Sequence, residues 1–139
     1  MGKEAIIKTF HHDNKVIAIL FDTKKIKSTD FISDPNDFFQ LGFGFINDDI
    51  TLSSHIHRKV NRNINQTSEF IFVIDGAMTI NILDPNACYI DSANLLNGYG
   101  FLQLYGGHEI SISAGTSYFE IKQGPYLGQA FDKHILTDE

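Results

Sequence analysis

The sequence predicts an all-β domain, an antiparallel sandwich or barrel, on three observations. Twelve Phe and five Tyr with no Trp suit the pleated, half-buried surface of strands. Short runs of alternating apolar and polar residues recur along the chain, each closed by a Gly, Pro, Asn or Asp cluster. No stretch keeps helical periodicity for three turns. With 139 residues the chain is one domain's worth at about 100–150 residues per domain. Residues 1–139 therefore read as a single domain without repeat or linker.

Residues 5–10 and 16–21 read as paired strands joined by the turn-forming His11-His12-Asp13-Asn14. Residues 22–37, with Asp34-Pro35-Asn36-Asp37, read as irregular, and the extended pattern resumes over 39–45 and 50–56. Residues 70–74 and 77–82 flank Asp75-Gly76, a dipeptide that takes the positive φ of tight hairpin turns, so a hairpin is expected there. Asp84-Pro85-Asn86-Ala87 places Pro where a type I turn favours it, and residues 88–90 follow as a strand. Residues 101–104 and 110–113 flank Gly106-Gly107, and residues 117–122 form a last strand ended by Gly124-Pro125. Phe43, Phe45, Phe70, Phe72 and Phe101 are assigned to the core.

Seventeen acidic residues against eleven basic ones give a net charge of −6, which weighs against nucleic-acid binding through phosphate neutralisation. No apolar run approaches the ~18 residues of a membrane span. The polar opening Met1-Gly2-Lys3-Glu4 lacks a signal-peptide apolar block, so the expectation is a cytoplasmic protein with no membrane association. Cys88 is the single cysteine, which excludes an internal disulfide and a cysteine-built zinc or iron–sulfur cage.

His55-Ile56-His57 lies within an expected strand. Alternation there puts both imidazoles on one face, where they can converge on one metal ion. Surface or hydrogen-bonded histidines are the plainer alternative. Glu69 shares a strand face with Ile71 and Val73, where a carboxylate is costly to bury without a cation or donor. An exposed strand-end Glu is its alternative. His108 follows Gly106-Gly107, whose missing side chains allow a tight turn and admit a ligand to the imidazole, unless it is simply a loop histidine. Arg62 is either a grip for an anionic group or a solvated loop cation. Glu120 and Lys122 share a strand face, as a structural ion pair in the simpler reading or an acid/base pair in the functional one. Gln123 and Tyr126 are expected to brace the turn at Gly124-Pro125, and His11, His12 and His134 to be surface or terminal residues.

Taken together, His55-x-His57, Glu69 six residues before Gly76, and His108 after a glycine resemble the two motifs of the cupin superfamily. Within it the chain resembles a group of small, mostly uncharacterised bacterial single-domain cupins. The matching residues are His55-Ile56-His57, Arg62, Thr67-Ser68-Glu69, Gly76, Gly106-Gly107-His108 and Glu120-Ile121-Lys122-Gln123-Gly124-Pro125-Tyr126, in that order. Two features depart from the pattern. Eleven residues separate His57 from Glu69, where the family motif has only a few, so residues 58–68 must loop out and return for Glu69 to join the histidines. The usual proline before the second-motif histidine is missing.

The resemblance implies a cupin-type double-stranded β-helix, a jelly-roll barrel of antiparallel strands. It implies a divalent transition metal (Zn, Fe, Ni or Mn) held by His55, His57, Glu69 and His108, with open positions for a small oxygenated ligand. Arg62, Glu120 and Lys122 are then the candidate catalytic residues. The implied activity is isomerisation or epimerisation of a sugar or sugar nucleotide in surface-polysaccharide metabolism. The alternatives are an iron-dependent dioxygenase and a non-catalytic small-ligand or metal-binding module. Small cupins usually pair through an exposed sheet edge, so a homodimer is expected through residues 5–10, with pairing of that strand to 16–21 within the chain as the simpler alternative.

Overall fold

Alternating sequence becomes strand wherever a neighbouring edge is free to pair. The computed structural model, which describes residues 3–132 and 134–136, contains ten strands among those residues. They are β1 (Ile6–His12), β2 (Lys15–Asp22), β3 (Asp30–Phe31), β4 (Gly42–Phe43), β5 (Glu69–Asp75), β6 (Met78–Leu83), β7 (Tyr89–Leu95), β8 (Tyr99–Gln103), β9 (Gly107–Ile112) and β10 (Ser117–Lys122). Every pairing is antiparallel. A five-stranded sheet has the order β1-β2-β8-β5-β10, a three-stranded sheet β7-β6-β9, and β3-β4 form a small ribbon. No helix among the described residues is long and apolar enough to cross a membrane.

The five- and three-stranded sheets enclose the main core. Phe10, Leu20, Ile71, Val73 and Phe101 from the larger sheet meet Met78, Ile80, Ile82, Ala93 and Leu95 from the smaller one. A second cluster lies on the larger sheet's other face, where Ile19 and Phe21 pack with Phe43 and, more exposed, Ile26, Ile32, Leu41 and Phe70. Residues 26–43 thus cover the β2 end of that face. Gly100 is required beneath Phe21, because a Cβ there would fall 2.4 Å from the ring. Across the sandwich Lys8 of β1 pairs with Asp91 of β7 at 2.5 Å, tying the sheets together on one side. On the other side all six residues of β10 are exposed.

The all-β class holds, but the sheets close into no barrel among the described residues. The expected hairpin at Asp75-Gly76 is a crossing between sheets. β5 already has β8 on one edge and β10 on the other, so β6 has no edge of β5 left and pairs instead with β7 and β9. Gly76 supplies the positive φ of 109° for the crossing, and a Cβ on it would lie 2.4 Å from Thr116 Oγ1. The Asp84 turn is as expected: its backbone accepts from Ala87 N at 2.9 Å, and its carboxylate accepts from Asn86 N and Cys88 N.

Residues 50–56 form no strand. Residues 44–68 have no regular secondary structure. Phe43 and Phe101 are buried as expected, whereas Phe45 is exposed and Phe70 and Phe72 are only half-buried. β1, the edge expected in a dimer, pairs within the chain with β2.

Candidate metal centre

Antiparallel register places one polar row at an end of the sandwich. Lys122, Glu69 and Gln103 stand directly opposite one another across β10, β5 and β8, so their side chains emerge on the same face. The next row inward is Ile71 and Phe101, both fully buried. From the facing sheet, His108 pairs with the buried Ile82 and points to the same interior. Its Nε2 lies 3.4 Å from Glu69 Oε2.

Gln103 decides which lone pair His108 offers. Its Nε2 donates to the carbonyls of Tyr105 at 3.1 Å and Gly107 at 2.8 Å, which commits both amide hydrogens. Its Oε1 is therefore an acceptor, and the 2.6 Å contact to His108 Nδ1 requires the proton on Nδ1. A neutral His108 then presents a bare lone pair at Nε2 toward a carboxylate that can only accept. A proton shared by the two groups, or a metal ion held by both, would make this approach favourable.

Local backbone chemistry fixes both partners. Ser68, fully buried, donates its backbone N–H to Gln123 Oε1 at 2.6 Å and its hydroxyl to Leu104 O at 2.7 Å, which anchors the start of β5 beside Glu69. Gly106 has φ 88°, and a Cβ on it would meet Leu83 O at 2.5 Å. The glycine pair thus serves first to bring the chain tightly past Leu83 into β9, where His108 sits.

Of the remaining sequence candidates, Lys122 stands opposite Glu69 in the row, and the histidines and arginine of residues 55–62 lie on a separate segment. His55 and His57 are on the exposed irregular segment, their ring centroids 5.2 Å apart, and His55 Nδ1 is 2.8 Å from Ser53 O. No group of three or more potential metal-ligating side chains forms among the described residues. Arg62 is exposed on the same segment. Glu120 and Lys122 are exposed on one face of β10 with no ion pair between them; Lys122 Nζ instead lies 6.0 Å from the Tyr126 ring centre. Gln123 braces Ser68 rather than its own turn, and its buried Nε2 has no partner.

Gln103 and Ser68 were not singled out from the sequence, although a Gln inside the apolar run Phe101-Leu102-Gln103-Leu104 signals a buried polar group that needs partners. His12 is also more than a surface residue. Its Nδ1 meets the Tyr105 hydroxyl at 3.2 Å, and its Nε2 lies 3.5 Å from Asp84 and 3.6 Å from Asp13. Burial, reinforced by the negative charges of Asp13 and Asp84, pushes the Tyr105 phenol above its ordinary range.

Compared with protein-family models, curated proteins and solved structures, the chain matches none.

Proposed function

We propose that the protein is a small cupin-like metal-binding protein whose polar row takes a small, oxygen-rich metabolite such as a sugar or sugar nucleotide. The observation that carries this reading is the approach of His108 Nε2 to Glu69 Oε2 at 3.4 Å, with the other imidazole nitrogen held by Gln103. A neutral imidazole nitrogen and a carboxylate oxygen suit Zn, Fe, Ni or Mn, and an outer hydrogen bond to the distal ring nitrogen is the usual support of a ligating histidine. His55 and His57 are the further donors that the cupin resemblance assigns. A divalent transition metal held there supplies a Lewis acid that polarises a ligand oxygen.

The protein's own residues supply the rest. Lys122, opposite Glu69 in the polar row, offers a cation to an anionic ligand group, and Glu120 lies two residues away on the same exposed face. That pairing of charges favours isomerisation or epimerisation, in which one carbon-bound proton is removed and another returned. Equilibrium dialysis against Zn²⁺, Ni²⁺ and Mn²⁺ tests the metal reading. Wild type should retain one ion per chain, and Glu69→Gln and His108→Ala should each weaken retention at least about tenfold. Retention unchanged in both variants contradicts the reading. A sugar-nucleotide panel followed by NMR in heavy water then separates an isomerase, which exchanges carbon-bound protons, from a binder, which only shifts resonances.

A further inference from the structure

The chain contains one Asn-Gly, at residues 97–98, and one Asp-Gly, at 75–76. Both dipeptides are chemically labile, because glycine has no Cβ to keep its backbone nitrogen from the side-chain carbonyl carbon before it. Attack by that nitrogen closes a succinimide ring. Far apart in sequence, the two dipeptides meet where the chain passes between the sheets. Asp75-Gly76 carries it from β5 to β6, and residues 96–98 return it from β7 to β8. Gly76 and Gly98 both take a positive φ there, 109° and 80°.

Each reactive nitrogen is occupied by the other turn or by the sheet. Gly76 N–H donates to Asn97 Oδ1 at 2.7 Å, and Asn97 Nδ2 donates to Asp75 Oδ1 at 3.0 Å. Gly98 N–H donates to Val73 O of β5 at 2.8 Å, while its carbonyl accepts from Thr23 N at 3.0 Å and Thr23 Oγ1 at 2.7 Å. A nitrogen whose proton is held in such a bond is free neither to lose it nor to turn toward the preceding side chain. Asp75, Gly76 and Asn97 are exposed and Gly98 is buried, so a local opening of the turn is enough to admit water and base.

We infer that the two dipeptides form one modification site, closed by the native fold and opened at Asn97 first. In the open turn the Gly98 nitrogen gives its proton to base and bonds to Asn97 Cγ. The bond from Cγ to the amide nitrogen breaks, and ammonia leaves. Water then opens the ring at either carbonyl, leaving aspartate or isoaspartate at position 97. An amide departs as ammonia more readily than a carboxylate, which must first take up a proton to depart as water, so Asn97 precedes Asp75. Either product puts a carboxylate where Asn97 Nδ2 donated to Asp75, and isoaspartate also adds a methylene to the backbone. Two carboxylates in that contact repel, so the side chain at 97 withdraws and frees the Gly76 nitrogen. That nitrogen bonds to Asp75 Cγ with loss of water, and water reopens the ring to isoaspartate in turn. This inference does not depend on metal binding.

The test follows the full chain by mass spectrometry in mildly alkaline buffer, folded and in guanidinium chloride, with isoaspartate located by electron-transfer fragmentation. No Lys or Arg lies between Arg62 and Lys122, so trypsin reports both sites on one peptide, residues 63–122. In the unfolded chain Asn97 should be the first asparagine to convert, and in the folded chain its conversion should be at least about tenfold slower. Asn97→Ala removes the cap on Gly76 and should raise isoaspartate at position 75 of the folded chain about threefold or more. Near-ultraviolet circular dichroism checks that this exposed substitution leaves the fold intact. In wild type, peptides modified at both positions should exceed the product of the two single frequencies. Equal conversion of Asn97 folded and unfolded, an unchanged Asp75 in the Asn97→Ala chain, or independent modification of the two positions would each overturn the inference.

Discussion

Gln103 accepts a hydrogen bond from Nδ1 of His108 at 2.6 Å while its own amide hydrogens are held by two backbone carbonyls. This single side chain sets the tautomer of the histidine and aims the opposite nitrogen at Glu69. Its place in the register row between Glu69 and Ala18 makes it part of the sheet, so the aim is rigid.

Replacing Gln103 with Leu should separate orientation from ligation. The variant keeps Glu69 and His108 but frees the imidazole to rotate, and metal affinity measured by competition with a chelating dye should fall about 10–100-fold. Stability in urea should fall by about 1–3 kcal/mol, because the Tyr105 and Gly107 carbonyls lose their donor. Affinity equal to wild type would mean that Gln103 does not orient the site.

Two glycines with similar backbone angles should respond differently to alanine. Gly106 and Gly115 have φ of 88° and 79°, but a Cβ meets Leu83 O at 2.5 Å in the first case and nothing within 4 Å in the second. Gly115→Ala should cost about 1–2 kcal/mol from the left-handed conformation alone. Gly106→Ala should cost about 1–3 kcal/mol more, since a rigid carbonyl must move. Equal losses in denaturant titrations would show that the close approach at Leu83 is not real.

Tyr105 should titrate above the ordinary tyrosine range. Burial comes first among the causes, with the charges of Asp13 and Asp84 adding to it. Because the folded value is raised, this group's contribution to stability is complete below the unfolded tyrosine value of about 10. It is lost as pH rises through the folded one. Ultraviolet difference titration of wild type and Asp13→Asn checks this. The variant should move the late phenol toward the ordinary value without reaching it, since burial remains.

The strand pattern was largely legible because it depends on local alternation and turn chemistry. β10 was expected over the same residues, and the turn at Asp84 needed only its Asp and Pro. Pairing was not legible in the same way. Asp75-Gly76 looks identical whether it joins a hairpin or carries the chain between sheets, and the choice depends on β8 and β10 having filled the edges of β5. Glu69 was placed on the correct face by its spacing from Ile71 and Val73. Its neighbour across the sandwich, His108, was flagged for its glycines without reference to Glu69. Gln103 escaped because a buried amide declares its role only through carbonyls that the fold brings to it. The expectation for His55 and His57 rested on a strand that has no partner edge, so alternation alone could not carry it.

The most direct measurement is a long-range ¹H–¹⁵N correlation spectrum of the histidine imidazoles before and after one equivalent of Zn²⁺. The account predicts that His108 begins as the Nδ1-protonated form, or with both nitrogens protonated, and that zinc shifts its Nε2 while Nδ1 keeps its proton against Gln103. A His108 ring whose nitrogens do not respond to zinc, or one that binds zinc through Nδ1, would contradict it.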